Sequence, residues 1–175
     1  MHTIITRANN ISAFLSSCAM ALLGIITVTS MLGTYFQPPL QGGAVTVKGL
    51  KVMHGRGKHY QTQHAVVNFE IDSDLSPLFN WNTKQLFLYL EAEYKNSKGV
   101  QNSVVIWDKI VRRKEDANIK IEGRQKYPFK DLVGFKDAAA TYTLRYNVMP
   151  HVGTLVWGSA GSTNGSVPFP AMSSA

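Results

Sequence analysis

Three histidines recur at five-residue intervals, His54, His59 and His64, and imidazole is a common ligand of transition metals. On an extended strand an odd spacing sends side chains to alternate faces, so these three would diverge. Gly55 and Gly57 favour a loop instead, where convergence stays open, but histidines exposed on a surface loop are the simpler reading. His2 and His151 complete the set of five. Nucleophilic catalysis would need a Ser, a base and an orienting group gathered in space. Ser, His and Asp are present, yet no Gly-x-Ser-x-Gly turn occurs, and Ser159-Ala160-Gly161-Ser162 reads as a small-residue loop. Glu91 and Glu93 share one face of a strand. Paired carboxylates can do acid–base work, but on a solvated face they are ordinary surface charge. No glycine-rich loop leads from a strand into a helix to cradle phosphate. Cys18 is the one cysteine and lies in an apolar stretch, so the rest of the chain has neither a disulfide nor a thiolate metal site. No catalytic residue, metal or cofactor is expected.

The elements that would carry these residues are of two kinds. Between Arg7 and Lys48 there is no Asp, Glu, Lys or Arg. Within that gap, residues 11–32 are apolar enough and long enough to cross a hydrocarbon layer about 30 Å thick as a helix. Their Ser and Thr are tolerable, because a hydroxyl can bond back to the preceding turn. Tyr35 and Phe36 follow where interfacial aromatics collect, and Pro38-Pro39 end the helix. A cleaved signal peptide competes with this reading, with Val28-Thr29-Ser30 as its cleavage site, but the apolar run exceeds the usual length of such a segment. Arg7 favours a cytosolic N-terminus by the positive-inside rule. The expected organisation is a short cytosolic tail (1–10), a transmembrane helix (11–32), a linker (33–43) and a translocated domain (44–175).

From residue 44 onward the periods are those of strands. Residues 64–72, 84–94, 104–111 and 141–148 give the strongest runs, with 45–53, 119–121, 127–129, 154–158 and 166–169 as shorter ones. Turn residues separate them at 96–99, 114–118, 150 and 161–165, and 76–79 suggests a helical turn. Seven or eight strands without a long helical period predict an all-β domain, an immunoglobulin-like β-sandwich. The net charge is +7, but basic residues are interspersed with acids, which reads as a solvated surface and implies no nucleic-acid partner. Trp81, Phe87, Tyr89 and Trp107 gather around the two central strands. Leu86, Leu88 and Leu90 already fill one face of the 84–94 strand, so Phe87 and Tyr89 are left for the other. If the same domain does not cover that face, Trp81, Phe87 and Tyr89 are candidate partner contacts. Asn164-Gly165-Ser166 is a candidate N-glycosylation site, meaningful only on the lumenal side; Asn10-Ile11-Ser12 matches too but abuts the anchor.

Several segments resemble one family over nearly the whole chain: Thr6-Arg7-Ala8-Asn9 before the anchor; Phe79 to Leu90 (FNWNTKQLFLYL) followed by Ala92-Glu93-Tyr94; Val105 to Val111 (VIWDKIV); Asn147-Val148-Met149-Pro150; and Val167-Pro168-Phe169-Pro170. In this order they are similar to subunit 3 of the eukaryotic signal peptidase complex. The resemblance implies a retained anchor in the endoplasmic reticulum membrane, a single-pass type II arrangement and a lumenal domain. It also implies an essential accessory subunit without chemistry of its own, whose partners are the catalytic subunit, the other subunits of the complex, membrane lipid and, indirectly, signal-peptide-bearing preproteins. Two regions depart from the family. Ala139-Ala140-Thr141 lacks a sequon that some members carry before that strand, and residues 53–63 match poorly. A membrane-anchored hydrolase or protease acting alone is the competing function, and an adhesion-like sandwich released by cleavage after Ser30 is a third.

Overall fold

The computed structural model describes residues 3–36, 40, 43–55 and 62–171. An α-helix, α1, runs Ile4–Tyr35, so the apolar span 11–32 lies inside a longer element. Nothing in residues 4–10 breaks a helix, and Thr3 starts it: the amide of Thr6 donates to Thr3 Oγ1 at 3.3 Å. The expected back-bonds form, with Ser17, Thr27 and Thr29 hydroxyls donating to the carbonyls of Ala13, Leu23 and Ile25 at 2.8–3.0 Å. Almost every described α1 side chain is exposed, and among them only Ile26, Thr27 and Ser30 are half-covered by the rest of the chain. A helix with so long an apolar run, left uncovered by the described residues of its own chain, fits a membrane anchor.

Among the described residues nine strands follow: β1 (Ala44–Gly55), β2 (Thr62–Asp74), β3 (Thr83–Lys95), β4 (Gln101–Val111), β5 (Asn118–Arg124), β6 (Phe129–Asp131), β7 (Ala139–Pro150), β8 (Val156–Ser162) and β9 (Val167–Pro168). Six of the expected runs reappear inside longer strands; of the other three, 154–158 becomes strand only from Val156, 166–169 shortens to Val167–Pro168, and 127–129 shares only Phe129 with β6. The 161–165 turn is shifted, because Gly161 and Ser162 belong to β8. The 96–99 hairpin forms as its residues predict, with Asn96 Oδ1 accepting from the amides of Lys98 and Val100 and Gly99 at φ +80°.

The hydrogen-bonded order is β4-β3-β7-β8-β1-β2-β5, with β9 added to β7 and β6 to β2. All pairs are antiparallel except β1–β8, which meet at the single rung Ala44–Ser162. Two antiparallel sheets therefore join at one narrow seam. A Cβ on Gly161 would lie 2.4 Å from the Gly43 carbonyl oxygen, so only glycine allows the backbones this close. On the far side the sandwich closes again. Ile106 is an extra residue in β4 between the rungs Leu90–Trp107 and Glu91–Val105, a β-bulge. Its carbonyl accepts the amides of Lys126 and Tyr127 at 2.8 and 3.0 Å. Asp108 Oδ1 holds the same segment by accepting from Lys126 Nζ at 2.6 Å and Tyr127 Oη at 2.7 Å. The Lys126 ammonium, then the Tyr127 hydroxyl, hold the Asp108 carboxyl below the usual carboxylate range. Gln125 carries the ladder of β2 across the gap between β5 and β6, its side chain bonding the Val67 amide and the Ala65 carbonyl. The result is a sandwich closed almost into a barrel.

The core follows the alternation. Leu86, Leu88, Leu90, Ala92 and Tyr94 of β3 are buried, as are Ala140, Tyr142, Leu144 and Val148 of β7 and Val67, Phe69 and Ile71 of β2. Trp107 packs edge-on against Phe69 across the interior. One end is filled by the rings of Tyr94, Phe129, Phe135 and Phe169, and Tyr94 Oη donates to buried Asp131 at 2.8 Å. Tyr142 is fully buried, and its hydroxyl has no hydrogen-bond partner among the described residues.

Candidate interaction surface

Inward leucines on β3 force its odd-numbered residues outward. Directly paired antiparallel residues share a face, so the register assigns the outer surface of β4-β3-β7-β8 row by row. One row reads Ile110, Phe87, Asn147 and Trp157; the next reads Asp108, Tyr89, Arg145 and Ser159. Phe87 and Tyr89 stack along β3 with centroids 5.7 Å apart and planes at 27°. Both are half-exposed, and among the described residues neither packs against the hydrophobic core. Ile110 and Trp157 are exposed at 46% and 65%, which extends the apolar surface to both flanks. A shallow depression of about 440 Å³ opens between Tyr89, Arg145, Trp157, Gly158 and Ser159.

The charged groups at the centre of this face pair with one another. Arg145 pairs with Glu91 and, through Nη2 at 2.7 Å, with Glu93. The Glu93 hydrogen bond, followed by the Glu91 charge, raises the Arg145 pKa. The two carboxylates thus flank one guanidinium and form a fixed ionic patch beside the aromatics. Register between β3 and β7 was needed to find Arg145, and the strand parity of β8 was needed to turn Trp157 outward; neither follows from one segment alone.

The described histidines do not converge. His54 sits opposite Gln63 and His64 opposite Met53, one rung apart in the β1–β2 pair, so the two rings leave opposite faces. His64 Nε2 lies 3.3 Å from Thr62 Oγ1, His151 is exposed, and His2 and His59 lie outside the described residues. Among the described residues no three His, Cys, Asp or Glu side chains gather as a metal site. Asn164 is exposed in the turn between β8 and β9, next to Gly165 at φ +97°.

Trp81 stands apart from Phe87 and Tyr89, in the turn before β3, and is 72% exposed. Its neighbour Asn82 is only 2% exposed. Asn82 Nδ2 donates to the Val152 carbonyl at 2.8 Å and to Ser30 Oγ of α1 at 2.9 Å, while Oδ1 accepts the Val152 amide at 3.1 Å. The Asn82 carbonyl accepts the His151 amide at 2.8 Å. One buried amide thereby ties the turn before β3, the turn after β7 and the end of the anchor together.

The whole chain has known relatives. A family model described as signal peptidase subunit matches residues 1–172. Proteins named signal peptidase complex subunit 3 are similar throughout: that of Caenorhabditis briggsae is 37% identical over 177 residues, covering 97% of this chain and 95% of its own. The chicken protein, from Gallus gallus, is 36% identical over 176 residues with the same coverage. That of Yarrowia lipolytica is 33% identical over 182 residues, covering 97% and 98%.

Proposed function

The chain belongs to the signal peptidase complex subunit 3 family, and from that premise we propose that it is a non-catalytic accessory subunit of the enzyme that removes signal peptides at the endoplasmic reticulum membrane. Helix α1 is its single-pass anchor. Arg7, alone before the span, favours the N-terminus on the cytosolic side and the sandwich in the lumen. The domain acts on the catalytic subunit by holding it, with Phe87 and Tyr89 at the centre of the contact.

The observation that carries this reading is the uncovered outer face of β4-β3-β7-β8. Its aromatic and aliphatic centre, with an internally paired ionic border, is the composition expected of a docking patch. Phe87→Glu places a charge at that centre without touching the core side of β3. Tagged full-length chain, recovered in mild detergent, should then lose the other subunits and the preprotein-cleaving activity that accompanies them. Undiminished co-purification of a folded Phe87→Glu chain would remove this face from the contact. Cleavage by the purified chain alone would replace the accessory role with a hydrolase.

A further inference from the structure

The position of Arg7 on α1 sets where the far membrane surface meets this chain. Arg7 marks the headgroup layer at one end. A hydrocarbon core about 30 Å thick takes about 20 helical residues at 1.5 Å each, so counting from Arg7 puts the opposite boundary near Thr27, closer to the N-terminus than residue 32, where the apolar run ends, and leaves Tyr35 and Phe36 beyond it. Ile26, Thr27 and Ser30 are the α1 positions half-covered by the domain. Two turns reach down to them. Asn82 Nδ2 bonds Ser30 Oγ at 2.9 Å, and a Cβ on Gly153 would come within 3.5 Å of Thr27 Cγ2. The last residues of α1 rise past these turns, with Met31 and Tyr35 beside Leu155 and Trp157.

The composition of those turns matches their depth. No Asp, Glu, Lys or Arg occurs from Leu75 to Thr83, or anywhere after Arg145. Trp81, at the tip of the first turn, is 72% exposed, and Leu155, in the second, is 43% exposed. An indole held in water beside the end of a membrane helix is unfavourable, whereas the headgroup–acyl boundary is the layer where indoles concentrate. The Val152 amide and carbonyl are meanwhile paired by Asn82, which suits a poorly hydrated layer.

From this placement we propose that the turns around Trp81 and Val152 are a lipid-binding end of the domain, seated in the headgroup layer beside α1, with the Trp81 indole at the hydrocarbon boundary. The bilayer is then a ligand of the folded domain as well as of its anchor. Two points of attachment, α1 and Trp81, fix the tilt of the sandwich on the membrane. This inference rests on the anchoring role of α1.

The test uses full-length chain reconstituted in phosphatidylcholine vesicles, with lipids brominated either near the headgroup or near the chain terminus as quenchers. Trp81 is one of three tryptophans, so the shallow quencher should remove about a third of the emission of the wild-type chain and the deep quencher much less, as befits an interfacial indole. That quenchable component should vanish in Trp81→Phe and persist in Trp157→Phe. Equal quenching of Trp81→Phe and wild type would overturn the proposal. So would a Trp81 signal shielded only when the other subunits are present, which would assign the turn to a protein partner. Alkaline carbonate extraction of the same vesicles separates the two claims. Retention with an unquenched Trp81 removes the lipid seat alone, and release removes the anchor and the seat together.

Discussion

Replacing Asn82 by Ala should be among the most damaging single changes outside the apolar core. The side chain makes three hydrogen bonds, two to the peptide groups of Val152 and one to Ser30 Oγ. Alanine leaves both Val152 groups without these partners in a half-buried turn, and each such loss costs about 1–2 kcal/mol. With the link to Ser30 included, the sum is about 3 kcal/mol. For a domain of this size about 3–5 °C of melting temperature accompanies each kcal/mol, so Asn82→Ala should melt about 10 °C lower. Asn82→Asp should do no better, because a carboxylate oxygen would face the Val152 carbonyl where the amide now donates. Thermal unfolding of the full chain in detergent, followed by near-ultraviolet circular dichroism, reads the shift. A double-mutant cycle with Ser30→Ala should give a coupling of about 1 kcal/mol, since the two substitutions remove one shared bond. A melting point within about 2 °C of wild type for Asn82→Ala, or no coupling in the cycle, would refute the clasp.

Tyr142→Phe should stabilise the domain by about 1 kcal/mol, because it removes a buried hydroxyl without a partner and keeps the ring; a lower melting temperature would show that the hydroxyl is satisfied. Asp108→Asn should be less stable than wild type at neutral pH, since Lys126 and Tyr127 lower the Asp108 pKa and thereby favour the folded carboxylate. That advantage is present above the unfolded value, about 3.9, and is lost as pH falls through the lower folded value. The gap in melting temperature should therefore hold from pH 7 to about 5 and close only in stronger acid; closure already between pH 7 and 5 would place the effect elsewhere. Asn164→Gln in cells should abolish an endoglycosidase-sensitive mobility shift, reporting a lumenal turn; a wild-type chain without such a shift would sink the glycosylation assignment.

Alternation made most of the sheet legible. The leucines of β3 and the apolar residues of β7 alternate so regularly that strand, face and core membership follow from period alone. The Asn96–Gly99 turn was equally plain, because its residues have one favourable use. What lay beyond reach depended on register. Arg145 meets Glu91 and Glu93 only once β7 is set against β3, and Glu91–Glu93 in isolation reads as a solvated pair. Asn82 reads as an ordinary turn residue, and its burial arises from a contact with α1 more than fifty positions earlier. The Ile106 bulge leaves no mark in the β-branched run 104–111, yet it aims the carbonyl that closes the sandwich. The extent of α1 also escaped hydropathy, since Thr3 caps a helix whose first turns are polar.

The closing segment at Ile106 has a consequence for life before assembly. A subunit made separately from its partners must wait in a crowded compartment, and an open strand edge would invite another chain to add a strand of its own. Lys126 and Tyr127 occupy the middle of the β4 edge with their own amides, and Asp108 pins them there. Backbone pairing at that point is already spent on the same chain, so an orphan copy offers no template there for polymerisation. Recruitment is left to side chains, which can discriminate among partners in a way that a backbone ladder cannot.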